Sequence, residues 1–312
     1  MRKSVLFTIT MFIVAIFIIS IFLGMSYKDY YLESKIESIK VSRLNKIYDD
    51  YERYVELAVI TSTREALNNL SIEIVEKESF LDNEEEVKKN LTEKINKSIY
   101  KWLESIKNTL KEQSINVDYV VNDIYFTGQN DTWHVGTYIN ITLILESSIA
   151  SWNHTEERII ESPIEGLIDP LYTEYIKEIR GSSISSTPII TIKKSKYSFL
   201  ENSGNYTKFL EFRNNHWYRA TTRAPSFLQR FYNDSSNSTY GIESFMNESL
   251  LDFPPNTPAE NRSYIDYMYI SGIEYNLTDL YTIEDVNQTF RLDGDSVSIY
   301  LGIDADKAQP VS

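Results

Sequence analysis

Cysteine is missing from this chain altogether, and histidine occurs only three times. The first absence excludes disulfides, thiolate metal ligands and cysteine nucleophiles. The histidines, His134, His154 and His216, stand in separate segments with no H-E-x-x-H or comparable spacing. His134 and His154 fall on neighbouring expected strands and could approach, but a zinc site needs a third ligand that the sequence does not nominate. There is no G-x-S-x-G, no phosphate-binding glycine loop and no dinucleotide fingerprint. Gly294-Asp295-Ser296 is similar to one hydrolase triplet, yet no histidine follows it. Positive charge is also scarce: 31 Lys and Arg stand against 45 Asp and Glu, a net charge of −14. That balance excludes nucleic acid as a partner, which needs basic patches, and suits a solvated exterior surface. The expectation is a chain without catalytic, metal or cofactor-binding residues and without a cofactor.

Glycine and proline are absent from residues 25–127. These are the strongest helix breakers, so the interval permits very long helices. Leu32, Ile36, Ile39, Ile47, Tyr51, Tyr54, Val55 and Ala58 recur mostly three or four apart, one apolar stripe of a 3.6-period helix. This predicts a helix to about Val75, whose part beyond residue 25 would extend roughly 75 Å if straight. A second helix follows Val87, Leu91, Ile95, Trp102, Ile106 and Leu110, with Ile99 filling a seven-residue step imperfectly. Asp82 or Asn83 can cap it, and Glu84, Glu85 and Glu86 lie where the helix dipole favours anions. The short link from Lys77 to Asn83 makes the two helices antiparallel.

Only one long apolar run exists, Val5 to Leu23, with no charge and no proline. Nineteen helical residues span a bilayer core of about 30 Å. Leu23-Gly24-Met25-Ser26 makes a poor cleavage site, so a retained anchor is expected rather than a cleaved signal. Arg2 and Lys3 place the amino terminus in the cytoplasm by the positive-inside rule, leaving the rest of the chain outside as a single-pass membrane protein.

What the chain has in excess is the N-x-Ser/Thr triplet. It begins at Asn69, Asn90, Asn96, Asn130, Asn140, Asn153, Asn205, Asn233, Asn237, Asn247, Asn261, Asn276 and Asn287. The 23 asparagines and 56 serines and threonines would give about four by chance. Each is an acceptor for N-linked sugar, added outside the cytoplasm on accessible chain. Dense acceptors without cysteine suit an archaeal cell surface better than a eukaryotic ectodomain, which would usually carry disulfides.

After Asn116 the apolar period becomes two. Val135, Thr137, Ile139, Ile141, Leu143 and Leu145 alternate with Gly136, Tyr138, Asn140, Thr142 and Glu146. Further expected strands are Tyr119–Phe126, Glu157–Glu161, Ile189–Phe199, Tyr264–Tyr275 and Val297–Ile303, with polar, turn-rich stretches at Asn233 to Tyr240 and Asp252 to Ala259. Helices followed by strands indicate an α+β chain with an antiparallel sheet. Its expected parts are a transmembrane anchor (1–25), a long-helix stalk and helical hairpin (26–115) and an extracellular β-rich domain (116–312). Asp293, Asp295, Asp304 and Asp306 could offer calcium oxygen ligands at one sheet end, though the spacing is not that of an EF-hand; solvated turn carboxylates are the plainer reading. The 23 tyrosines and four tryptophans could build an adhesive or sugar-binding surface, with strand and core packing as the default.

Three blocks resemble archaeal type IV pilin-like surface proteins. Met1-Arg2-Lys3-Ser4-Val5-Leu6-Phe7-Thr8 is similar to their short basic head followed at once by an apolar helix. Glu161-Ser162-Pro163-Ile164-Glu165-Gly166-Leu167-Ile168-Asp169-Pro170-Leu171-Tyr172 resembles a proline–glycine segment of such proteins. Ala224-Pro225-Ser226-Phe227-Leu228-Gln229-Arg230-Phe231 with Tyr240-Gly241-Ile242-Glu243-Ser244-Phe245 resembles a further block. The resemblance implies a candidate processing site at Lys3, Ser4 and Val5, with Val5 the mature amino terminus. Serine stands where a small glycine or alanine is usual, and Ile9 where bacterial-type pilins often carry glutamate. These departures point to a minor pilin or pilus-associated protein, with membrane lipid and pilus or other surface proteins as partners of the N-terminal helix. The alternatives are an extracellular ligand-binding or sensory domain working with a separate membrane partner, and a surface hydrolase.

Overall fold

The computed structural model describes residues 2–112, 115–146, 151–199, 204–251, 261–287 and 289–311, with the side chains of 2–15, 26–30 and 32–33 outside that description. It is a mixed α+β chain whose described strands form three antiparallel sheets.

Helix α1 (Arg2–Lys77) is unbroken. Every described side chain from Ile16 to Arg43 is exposed, and Leu44 is the first that is buried. From there Tyr51, Val55, Ala58, Val59, Ala66, Leu67, Leu70 and Ile74 face the core. The stripe therefore begins later than its sequence period suggests: Ile36, Ile39 and Tyr54 are exposed, and Leu32 lies outside the described side chains. Periodicity marks an apolar face but not whether a neighbour covers it.

Residues 78–83 turn the chain into α2 (Glu84–Glu112). Asn83 caps it, its Oδ1 accepting from the Glu86 amide at 3.0 Å, while Glu86 Oε2 accepts from the Asp82 amide at 2.8 Å. That reciprocal arrangement satisfies two otherwise orphaned donors. The buried stripe is Val87, Leu91, Ile95, Ile99, Leu103 and Leu110. Trp102, expected within it, is a third exposed; steps of four drift round the helix, so Ile99 and Leu103 continue the seam. Lys94 pairs with Glu73 across the hairpin, and Ser98 Oγ donates to Glu65 Oε2 at 2.6 Å.

Strands β1 (Asn116–Gln129), β2 (His134–Glu146) and β3 (Ser151–Pro163) form a meander in that spatial order. Val135, Thr137, Ile139, Ile141, Leu143 and Leu145 are buried against the hairpin in one shared core. The change at 115/116 is thus a change of secondary structure inside a continuous core. Thr63 and Thr137 satisfy each other's hydroxyls there, 2.8 Å apart. Arg64 of α1 donates to the Pro163 and Glu165 carbonyls and ties the end of β3 to the long helix.

The remaining chain is built of short pieces. They are α3 (Pro170–Arg180), α4 (Tyr206–Asn214), β4 (Arg219–Ala220), β5 (Ile242–Glu243), α5 (Asp266–Ile270), β6 (Leu280–Ile283), β7 (Arg291–Asp293), α6 (Gly294–Tyr300) and β8 (Ala308–Pro310). β4 pairs with β5, and β6 is flanked by β7 and β8. Their common core is aromatic: Phe209, Phe212, Phe245, Tyr264, Phe290 and Tyr300 pack with centroids 4.7–6.4 Å apart, mostly edge-on or tilted. Such offset geometry suits the ring quadrupoles.

Three expected strands are corrected here. Ile189–Phe199 is irregular, held by single bridges of Thr191 to Ile168 and Lys194 to Tyr218. Tyr264–Tyr275 contains α5, and Val297–Ile303 is α6 running into a 3-10 turn. Aromatic and β-branched residues gave these segments a strand signature, but over so few residues the local pattern yields to tertiary packing. Asp293 decides the last case by accepting from the Ser296 amide at 3.0 Å and starting a helix. The stretch Asp252 to Ala259 lies outside the described residues.

Candidate functional site

Two of the three resemblance blocks, 161–172 and 224–231 with 240–245, meet at one buried charge cluster. Gly166, in the left-handed region at φ 81°, turns the chain after β3, and Asp169 caps α3 through Oδ1, which accepts from the Tyr172 amide at 3.2 Å. Its other oxygen, Oδ2, accepts from Tyr218 Oη at 2.8 Å and from Arg230 Nη1 at 2.7 Å. The same Nη1 donates to Asp266 Oδ2 at 2.8 Å, and Nη2 donates to the Ile242 carbonyl at 2.6 Å. Asp266 Oδ1 accepts from the Ser244 amide at 3.0 Å. Arg230, Asp169 and Asp266 are all fully buried.

One guanidinium therefore faces two carboxylates. Burial pushes the Asp266 carboxyl up to about 6 against the pull of Arg230, and the neighbouring Asp169 adds to the push. The Tyr218 phenol is raised well above its ordinary value, first by burial and then by Asp169. The cluster joins β3's exit, the 224–231 and 240–245 segments and α5, and it is closed to solvent. It is structural chemistry: a pin where three chain segments cross.

A second pin lies alongside. Arg219 Nε donates to Glu243 Oε1 at 2.8 Å and to Tyr300 Oη at 2.9 Å, and Nη1 donates to the Phe199 carbonyl at 3.2 Å. Nη2 lies 2.6 Å from Glu243 Oε1 but is not aligned for a hydrogen bond. Gly241 beside it is required by space: a Cβ there would stand 2.2 Å from the Ala224 carbonyl oxygen and 2.3 Å from that of Thr221.

The residues singled out in the sequence do not converge. His134 is paired with Pro163 and His154 with Leu143, nine positions apart along β2, which is about 30 Å of strand. His134 Nδ1 instead sits 2.9 Å from Asp131 Oδ2 in the β1–β2 turn. His216 adopts φ 50° and borders an 80 Å³ cavity, with Nε2 2.9 Å from Asn247 Nδ2; burial, then Lys193 and Arg213, holds it below the usual imidazole range. Asp293 caps α6, Asp295 pairs with Arg223 at 2.7 Å, and Asp304 accepts from the Tyr206 amide at 3.1 Å. These carboxylates serve separate local roles, and Ser296 Oγ of the Gly-Asp-Ser triplet donates to Asp293 Oδ2 at 2.7 Å. Among the described residues no group of three His, Cys, Asp or Glu could hold a metal ion.

None of the thirteen acceptor asparagines is buried. Asn69, Asn153, Asn205, Asn233, Asn237, Asn261, Asn276 and Asn287 are exposed, and Asn90, Asn96, Asn130, Asn140 and Asn247 are half-buried. The candidate processing residues Lys3, Ser4 and Val5 lie in α1, with side chains outside the described residues. Among the described residues no helix is long and apolar enough to cross a membrane; the first eleven positions of the expected span Val5–Leu23 carry side chains outside that description.

Sequence reasoning missed Arg230, Asp169 and Asp266. The available signal was a charge inside Phe227-Leu228-Gln229-Arg230-Phe231, where an arginine among buried aromatics needs a counter-charge. Comparison with family models, curated proteins and solved structures found no match.

Proposed function

We propose that this chain is a membrane-anchored, N-glycosylated archaeal surface protein, pilin-like in plan. It would be a minor pilin or pilus-associated component acting through structure and interaction, not catalysis. The observation that carries this reading is the continuity of α1. The same helix that carries the apolar run Val5–Leu23 enters the folded core at Leu44. Ile16, Phe17, Ile18, Ile19, Phe22 and Leu23 are exposed on it, a concentration of bare apolar surface that water does not favour. Lipid or the helices of partner proteins would cover it. About 60 Å of helix then separates Arg2 from the first core contact, enough to hold the folded part clear of the membrane.

The accessible positions of the acceptor asparagines support an outward placement of the folded part. Intact-glycopeptide mass spectrometry on native protein tests it: most of the thirteen sites should be at least partly occupied. Bare asparagines throughout would remove the outward placement.

A further inference from the structure

The irregular segment after α3 presents a positively charged, aromatic-backed ledge in a chain of net charge −14. Its backbone is fixed by Tyr218, whose amide donates to the Lys193 carbonyl at 2.7 Å and whose carbonyl accepts from the Ser195 amide at 2.8 Å. Lys193, Lys194, Lys196 and Lys208 are all exposed. Three of these ammonium groups are held over rings: Lys194 Nζ is 5.1 Å from the Trp133 centroid, Lys196 Nζ 4.9 Å from Tyr197 and 5.3 Å from Trp217, and Lys208 Nζ 5.7 Å from Tyr197. Cation–π contacts of this kind restrain a lysine that would otherwise sample many rotamers. Among the described residues the one carboxylate in the group is Glu211, which pairs with Lys196 at 3.1 Å and accepts from Tyr197 Oη at 2.6 Å. Lys193, Lys194 and Lys208 have no carboxylate partner among the described residues, so positive charge is left over.

Beside these groups opens a 250 Å³ cleft, bordered by Trp133, Lys194, Ser195, Lys196, Tyr197 and Ser198. That is below the usual range of about 300–1,000 Å³ for a small-ligand pocket and suits one unit of a polymer. It combines an ammonium pair, two hydroxyls and aromatic faces.

We propose that this ledge binds an acidic saccharide, one bearing carboxylate or sulfate groups. The ammonium groups would pair with the anion and the serine hydroxyls with sugar hydroxyls. Nucleic acid fits less well, because it needs a run of basic groups along its backbone, and of those bordering the cleft Lys196 and Arg219 are already paired with Glu211 and Glu243. The site is a property of the folded part and does not require the anchor or pilin-like reading; that reading only gives it an outward setting.

The test uses the full chain in detergent at low salt, with oligogalacturonate, a neutral dextran oligosaccharide and a single-stranded oligonucleotide of equal charge as titrants in calorimetry or thermophoresis. Oligogalacturonate should bind, dextran should not, and the oligonucleotide should bind at least several-fold more weakly. The double variant Lys194→Gln/Lys196→Gln, at exposed positions, should keep the wild-type unfolding transition and lose about 3- to 10-fold in affinity, the scale of two exposed ion pairs. Absence of oligogalacturonate binding at millimolar concentration would overturn the proposal. So would equal binding of dextran or oligonucleotide, or an affinity unchanged in the double variant. Glycan occupancy at the asparagines would be untouched by any of these failures.

Discussion

Replacing Arg230 with methionine isolates the energetics of the buried cluster. The variant removes one guanidinium and leaves Asp169 and Asp266 facing each other at full burial, with the Tyr172 amide, Tyr218 Oη and the Ser244 amide as their remaining donors. A buried carboxylate without a counter-charge takes up a proton instead of staying ionised. At pH 7 that uptake costs at most about 4 kcal/mol per carboxylate, from an ordinary value near 3.9 and 1.36 kcal/mol per pH unit. Asp266, already at about 6, bears most of its share in the wild type. The lost hydrogen bond to the Ile242 carbonyl adds about 1 kcal/mol. The destabilisation expected at pH 7 is about 3–5 kcal/mol, the range found when one partner of a buried ion pair is removed. At pH 5 the ceiling per carboxylate falls to about 1.5 kcal/mol, so the penalty should shrink by about 2–3 kcal/mol. Urea unfolding of the full chain in detergent, followed by tryptophan fluorescence at both pH values, reads the difference. A penalty below about 1 kcal/mol at pH 7, or one equal at pH 5 and pH 7, would refute the ion-pair account.

Two further outcomes follow from the same geometry. Because the folded value of Asp266 is raised above its unfolded one, its contribution to stability is fully present below about pH 4 and lost as pH rises through about 6; wild-type stability measured against Asp266→Asn should fall by about 3 kcal/mol across that window, and a flat difference would contradict the shift. In glycopeptide maps, Asn90, Asn247 and Asn276 should be the least occupied acceptors if sugar is added to folded chain. Their Nδ2 groups are already engaged, with the Glu86 carbonyl at 2.9 Å, His216 Nε2 at 2.9 Å and Asp279 Oδ2 at 3.2 Å; uniform occupancy would mean attachment before folding.

The first half of the fold was legible because its elements are long. Over the 29 residues of α2 the helical period outweighs local noise, and the Asn83 cap and the run of glutamates after it agree with that period. Over the 13 residues of β2, strict alternation identifies the buried face without ambiguity. Beyond Pro163 the pieces are short, and their conformation is set by what they touch. Tyr267 and Tyr269 are buried on a five-residue helix, although tyrosine alternation there reads as a strand. The cluster of Arg230, Asp169 and Asp266 links positions 61 and 36 residues apart, a pairing that no local pattern encodes. The basic ledge was hidden for a related reason. Its lysines are close in sequence, but Trp133 and Trp217 come from elsewhere in the chain.

Amino-terminal sequencing of protein from membrane and sheared-surface fractions tests the central proposal most directly. Removing Arg2 and Lys3 would take away the charges that fix α1 across a bilayer and free its apolar stretch to pack among partner helices. The pilin-like reading predicts a mature chain beginning at Val5, present in both fractions. An intact Met1 or Arg2, with all of the protein retained in the membrane fraction, would contradict it.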